Sequence, residues 1–145
     1  MAGDNEVFQV TDERIMSPGD GLFLGNYTGD MILGPGRRRM MHGRGRIVYD
    51  PENDKRPVMY EGNFVRQKRE GTGRLELKTG ETYEGGWRKD VKNGLGRTTY
   101  VQPEGEYTGH YLNDAKDGEG KETFRDSKPP YCYEGGFKED CFHGK

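Results

Sequence analysis

No long apolar run occurs anywhere in this sequence, and hydrophobic residues make up only 30% of its 145 positions, against 33% charged. A membrane-spanning helix of about 20 apolar residues has no candidate segment. The opening stretch MAGDNEVFQV is acidic and lacks the apolar centre of a secretory signal. Glycine is third rather than second, so no myristoylation signal is present. There are two cysteines, Cys132 and Cys141, too few for a disulfide framework. The expectation is a cytosolic protein with reduced thiols. So small an apolar stock also argues against a two-layer core.

What the chain does have is glycine and aromatics. Twenty-four glycines and 11% aromatic residues accompany a net charge of only −2. Disordered chains are usually poor in aromatics and high in net charge, so disorder is disfavoured. The glycines are regularly placed. An aromatic-x-Gly-x-aromatic pattern recurs as YEGNF from Tyr60, YEGGW from Tyr83, YTGHY from Tyr107 and YEGGF from Tyr133. Eleven residues after each tyrosine stand Gly71, Gly94, Gly118 and Gly144. Gly73, Gly96 and Gly120 follow two later, and then Leu77, Tyr100 and Phe124. HGRGRIVY supplies Gly43, Gly45 and Tyr49 in the same relation, so an earlier, worn copy covers 23–49. FLGNY from Phe23 is its best aromatic match, with an insertion after it.

One such unit reads as a β-hairpin. Residues i, i+2 and i+4 of a strand share a face, so Tyr83, Gly85 and Trp87 lie together, as do Gly94, Gly96 and Tyr100. RKDVKN, 88–93, is read as the hairpin loop. Glycines beside the aromatics leave bare backbone on which a ring can lie, which offsets their intrinsic penalty in a strand. Each ring buries about 150–250 Å². Hairpins in series would then pack on their neighbours alone.

This in-register pattern resembles the MORN repeat (membrane occupation and recognition nexus), over roughly 23–145 and most strongly from Tyr60. The resemblance implies an all-β fold: an elongated, single-layer, twisted antiparallel meander of tandem hairpins. The family's histidine before the glycine pair is matched by His42 and His143, while Glu70, Asn93 and Asp117 stand there in other copies. Where the family often has a turn glycine, this chain has Gln67, Asp90, Asp114 and Asp140. Aspartate tolerates a left-handed conformation moderately well.

The division expected is a flexible acidic arm over 1–20, with a single added strand as the alternative, and a repeat array over 21–145. Its copies are the worn one at 23–49 and those starting at 60, 83, 107 and 133. The last ends FHGK, with one good strand and no return. Either the chain has been cut short, or an open edge is left that can recruit another strand or a second copy. The links 50–59 and 125–132 are insertions of the kind that gather on one side of an array.

No catalytic set is evident. Cys132, Cys141 and His143 lack a fourth ligand for a structural zinc site. DPEND, 50–54, is followed by Lys55 where a calcium loop needs glycine. GDMILGPG, from Gly29, lacks the Lys-Ser/Thr ending of a phosphate loop. No cofactor or metal is expected, and no enzyme activity. Tyr60, Tyr83, Tyr107 and Tyr133 are assigned to packing between repeats. Phe64, Trp87, Tyr111 and Phe137 are expected to remain partly open and to form a stripe against which a partner helix or peptide lies. GRRRMMHGRGR, 36–46, concentrates Arg37, Arg38, Arg39, Arg44 and Arg46 without an acid. Such a patch suits acidic polymer tails or phosphoinositide headgroups. Nucleic acid is the least favoured ligand at a sequence pI of about 6.0. The resemblance implies an adaptor among the proteins of a cytoskeletal complex, best fitted to the axoneme of a cilium or flagellum. A phosphoinositide tether and a regulatory module of a larger enzyme are the alternatives.

Overall fold

The structure is a computed structural model, described over residues 6–144. Among these residues there is one open antiparallel sheet whose eleven strands follow in chain order. They are β1 (Phe8–Met16), β2 (Phe23–Leu33), β3 (Arg39–Tyr49), β4 (Met59–Val65), β5 (Lys68–Glu76), β6 (Thr82–Arg88), β7 (Val91–Val101), β8 (Glu104–Leu112), β9 (Ala115–Phe124), β10 (Tyr131–Lys138) and β11 (Cys141–His143). Each is hydrogen-bonded only to its neighbours in the chain, and the sheet has no second layer. The all-β meander expected from the repeat is the observed fold.

The glycines form one row across the sheet. Gly29, Gly45, Gly62, Gly73, Gly85, Gly96, Gly109, Gly120 and Gly135 are successive cross-strand partners from β2 to β10. A Cβ on Gly96 would overlap the Tyr83 ring, and one on Gly73 the Tyr60 ring. Each tyrosine therefore lies over the glycine of its own return strand. Its hydroxyl reaches past that glycine and donates to a carbonyl three residues on: Tyr60 to Asn63 at 2.9 Å, Tyr83 to Gly86 at 2.7 Å, Tyr107 to His110 at 2.8 Å. The register shifts beside the glycine row in these hairpins, and such a bulge bends and twists its strand.

Four expectations need correction. The first copy does not begin at Phe23. Tyr27 donates to the Asp30 carbonyl at 2.7 Å, Gly29 pairs with Gly45, and Met31 takes the place of the second aromatic. The register is thus YTGDM. FLGNY misled because Gly25 imitates the spacing. The insertion extends this hairpin through Ile32–Met40 and Leu33–Arg39 pairs, closed by a 3-10 turn at Pro35–Arg37.

Second, residues 8–16 are not a flexible arm but strand β1, paired with β2; residues 1–5 lie outside the described residues. Phe8 and Val10 pack against the core and Ile15 is buried. A register shift after Val10, with Asp12 at φ 52°, breaks the alternation between them. Third, the hairpin loop is not 88–93 but Lys89 and Asp90 alone, since Val91 already pairs with Arg88. Fourth, the last copy has a short return strand, Cys141–His143 on β10.

Candidate docking surface

The aromatic face is built from one interlocking series of rings. Phe64 meets Tyr27 edge-on with centroids 5.5 Å apart and Tyr60 at 5.0 Å. Trp87 meets Tyr60 at 5.4 Å and Tyr83 at 5.2 Å. Tyr111 sits between Tyr83 and Tyr107, and Phe137 between Tyr107 and Tyr133. Every second aromatic is wedged between its own tyrosine and that of the previous repeat. Such edge-to-face pairs contribute about 0.5–1.5 kcal/mol each beyond burial.

That geometry overturns the expected stripe. Phe64, Trp87, Tyr111 and Phe137 are only 2–5% exposed, as deeply placed as the first tyrosines. They are core, because a single sheet can bury its rings only by wedging each repeat into the last. Burial pushes the tyrosine hydroxyls above their usual range. Tyr107 rises to about 12, and Tyr60, Tyr83 and Tyr111 rise also.

A cation from each regular repeat covers this stack. The Arg69 guanidinium lies 4.3 Å over Trp87. The Lys92 ammonium lies 5.0 Å over Tyr83 and 5.6 Å over Tyr111, and Lys116 lies 5.0 Å over Tyr107. Burial holds the Lys92 ammonium below the usual lysine range, against the attraction of Asp114 and Asp140. Burial pulls Lys116 down as well. Its bonds to Glu122 and Tyr100 outweigh that and leave it raised. Lys116 and Glu122 are a partly buried pair. Sequence reasoning missed these cations. The available signal was a basic residue two before the first glycine of each pair, with Met41 standing there in the first copy.

The same positions carry a second device. The turns Arg66–Gln67, Lys89–Asp90, Asn113–Asp114 and Glu139–Asp140 have both central residues at positive φ, the geometry that suits a two-residue hairpin. Each turn clasps the preceding repeat. The Arg69 N–H donates to Asp90 Oδ1 at 2.8 Å, while the Asp90 N–H donates to the Arg69 carbonyl at 3.0 Å. Lys92 with Asp114, and Lys116 with Asp140, repeat the pair of bonds at 2.7–3.1 Å. Met41 with Gln67 does so through the glutamine amide oxygen. His42 Nδ1 and Glu70 Oε2 accept from the Arg66 and Lys89 N–H groups at the same interfaces. Aspartate stands at these turns because its carboxylate closes the clasp. Glycine could supply the backbone geometry but not that bond.

The arginines expected as one patch are divided. Arg44 and Arg46 follow strand alternation onto the face away from Gly45 and Ile47, and Arg46 lies 3.9 Å from Glu61. Arg37 belongs to the 3-10 turn. Arg39 is paired with Glu13 at 2.7 Å. Arg38 instead joins Arg56, Arg66 and Lys68 around a recess of about 410 Å³, whose lining also includes the buried Leu24, the half-buried Met40 and the exposed Pro18. A second recess, of about 230 Å³, is lined by Lys92, Lys116, Tyr100 and Asp114.

Among the described residues no group of three or more His, Cys, Asp or Glu is placed to hold a metal. Cys132 and Cys141 are both exposed. Among the described residues no helix is long and apolar enough to cross a membrane.

The family model for the MORN repeat matches residues 60–82, 83–102 and 107–128, three consecutive units. Those are the hairpins whose tyrosine, glycine row and aromatic wedge have been described. This is a MORN-repeat protein. MORN arrays are protein- or membrane-binding modules and are typically not catalytic. The matched units cover the regular MORN interfaces, while the unit at Tyr27 and the short hairpin at Tyr133 lie outside the match. No curated protein matches this chain.

Proposed function

We propose that this MORN protein is a non-catalytic adaptor that docks partner proteins in a cytoskeletal assembly, the axoneme of a cilium or flagellum. The observation that supports it is the single sheet without a second layer. The aromatic face is spent on internal wedging, so side chains on the opposite face are available to a partner. By strand alternation that face carries Val48, Val65, Leu95 and Leu112, all exposed, among charges of both signs.

The test is a tagged copy expressed in ciliated cells, followed by detergent extraction. Retention along the axoneme is the expected outcome. A tagged protein that stays diffuse and is wholly extracted overturns the reading.

A membrane-surface tether is the second reading, favoured by the basic residues gathered at Arg38 and Arg56. Co-sedimentation with phosphoinositide vesicles, abolished by reversing those charges, would establish it in place of the first.

A further inference from the structure

The recess around Arg38 differs from the rest of the aromatic face in origin and in charge. It is not made by the repeating positions alone. Arg38 and Met40 come from the extended β2–β3 hairpin, Arg56 from the 50–58 link, and Pro18 from the β1–β2 link. Arg66 comes from the β4–β5 turn and Lys68 opens β5. Three irregular connections thus converge with one regular turn. The only carboxylate in the lining is Asp90, which already accepts from the Arg69 N–H at 2.8 Å and its Nε at 3.1 Å. Among the described residues Arg38, Arg56 and Lys68 have no direct ion pair, and Arg56 alone of the three feels a nearby carboxylate, that of Asp20. A concentration of positive charge in a chain of net charge −2 sits beside apolar side chains of the same lining.

We propose that this recess binds an acidic peptide segment of a partner protein, one that carries an apolar side chain beside its carboxylates. The carboxylates meet Arg38, Arg56 and Lys68. The apolar side chain enters between Leu24 and Met40. The assignment rests on the docking-module reading above and names the chemistry of one partner segment. Two observations favour a peptide over a bilayer. Leu24 is buried and Met40 half-buried while Arg38 and Lys68 are exposed, so the apolar atoms of the lining lie deeper than those charges, whereas an anionic membrane offers its charge outermost and keeps its chains inside. The recess is also lined from several separate segments, which a flat surface would meet only at their tips. Charge complementarity at such a site steers association and weakens with salt.

The experiment measures fluorescence anisotropy of a labelled peptide of alternating glutamate and leucine. Its counterparts carry lysine for glutamate, or serine for leucine. The wild-type protein is expected to bind the first, to bind the serine peptide more weakly, and to ignore the lysine peptide. The double variant Arg38→Glu/Lys68→Glu should lose affinity about tenfold or more, the usual scale for a central charged contact. Lys121→Glu, an exposed change on the opposite face, should leave binding unchanged. Thermal melts check that the variants fold, and Arg38→Gln/Lys68→Gln serves as a neutral second version. Equal affinity for wild type and both double variants overturns the proposal, as does no binding of the glutamate–leucine peptide. Binding only to phosphatidylserine vesicles, lost in the same variants, overturns it in favour of a lipid site. If the double variant still remains on extracted axonemes while the peptide fails, the adaptor reading stands and this inference falls.

Discussion

The N-terminal unit around Tyr27 and the regular units from Tyr60 to Phe124 share a backbone plan but not a chemistry. In both, a tyrosine lies over a cross-strand glycine and reaches the carbonyl three residues on. In the regular units the wedge is aromatic, the cover is a cation and the clasp is a carboxylate. In the N-terminal unit these are Met31, Met41 and Gln67. The comparison teaches which parts of the repeat are geometric and which are chemical. The tyrosine–glycine contact cannot be exchanged, because any side chain at the glycine occupies the ring's place. The wedge, cover and clasp accept substitutes that fill the same space or offer the same acceptor.

The most severe way to break that comparison is Gly96→Val, matched by Gly45→Val. Both added side chains collide with a tyrosine ring. Each is expected to cost more than about 3 kcal/mol, the upper range for overpacking, or to prevent folding. Circular dichroism melts check this, and a tolerated Gly45→Val would show that the N-terminal unit is not built on the common plan.

A finer distinction comes from the clasp. Asp114→Ala leaves the Lys92 N–H without its acceptor and keeps a side chain in a left-handed conformation. About 1–3 kcal/mol is expected. Gln67→Ala removes a neutral acceptor and should cost less. Asp114→Gly relieves the backbone and still loses the bond, so denaturant titration should place it between wild type and Asp114→Ala. Were glycine to equal or exceed wild type, the clasp would carry no stability.

The smallest effect is expected from alkaline pH. Tyr60, Tyr83, Tyr107 and Tyr111 all titrate above the ordinary value of 10.0 in the fold, with Tyr107 at about 12. Raised pKa values mean that the unfolded chain releases these protons first. Their contribution is complete below pH 10 and is lost as pH climbs from 10 through the folded values. Burial raises Tyr27 and Tyr49 as well, so hydrogen exchange above pH 10 should show the Tyr27 unit loosening together with β4–β9. Loosening confined to either region would contradict this.

The period and the face of each residue were legible because strand alternation is local. Tyr83, Gly85 and Trp87 point one way whatever else the chain does. The clasp was not legible, since Asp90 and Arg69 meet only through the lateral stacking of two hairpins. The burial of Trp87 was misjudged for the same reason: its second tyrosine, Tyr60, belongs to the previous repeat. Strand β1 was hidden by the register shift at Asp12, which puts Val10 and Ile15 out of simple alternation. The basic segment 37–46 looked continuous only because spacing along the chain says nothing of a 3-10 turn followed by a strand.

The two margins of the sheet obey different rules about length. On one margin the connections at 17–22, 50–58, 77–81, 102–103 and 125–130 vary freely. On the other, the turns at 66–67, 89–90, 113–114 and 139–140 never vary, because each must meet a fixed peptide group of the hairpin before it. Among the described residues, the one longer turn, 34–38, belongs to the hairpin with no earlier hairpin to hold. An engineer wishing to graft a loop or a tag would find one margin permissive and the other closed, with a single opening at its first tooth.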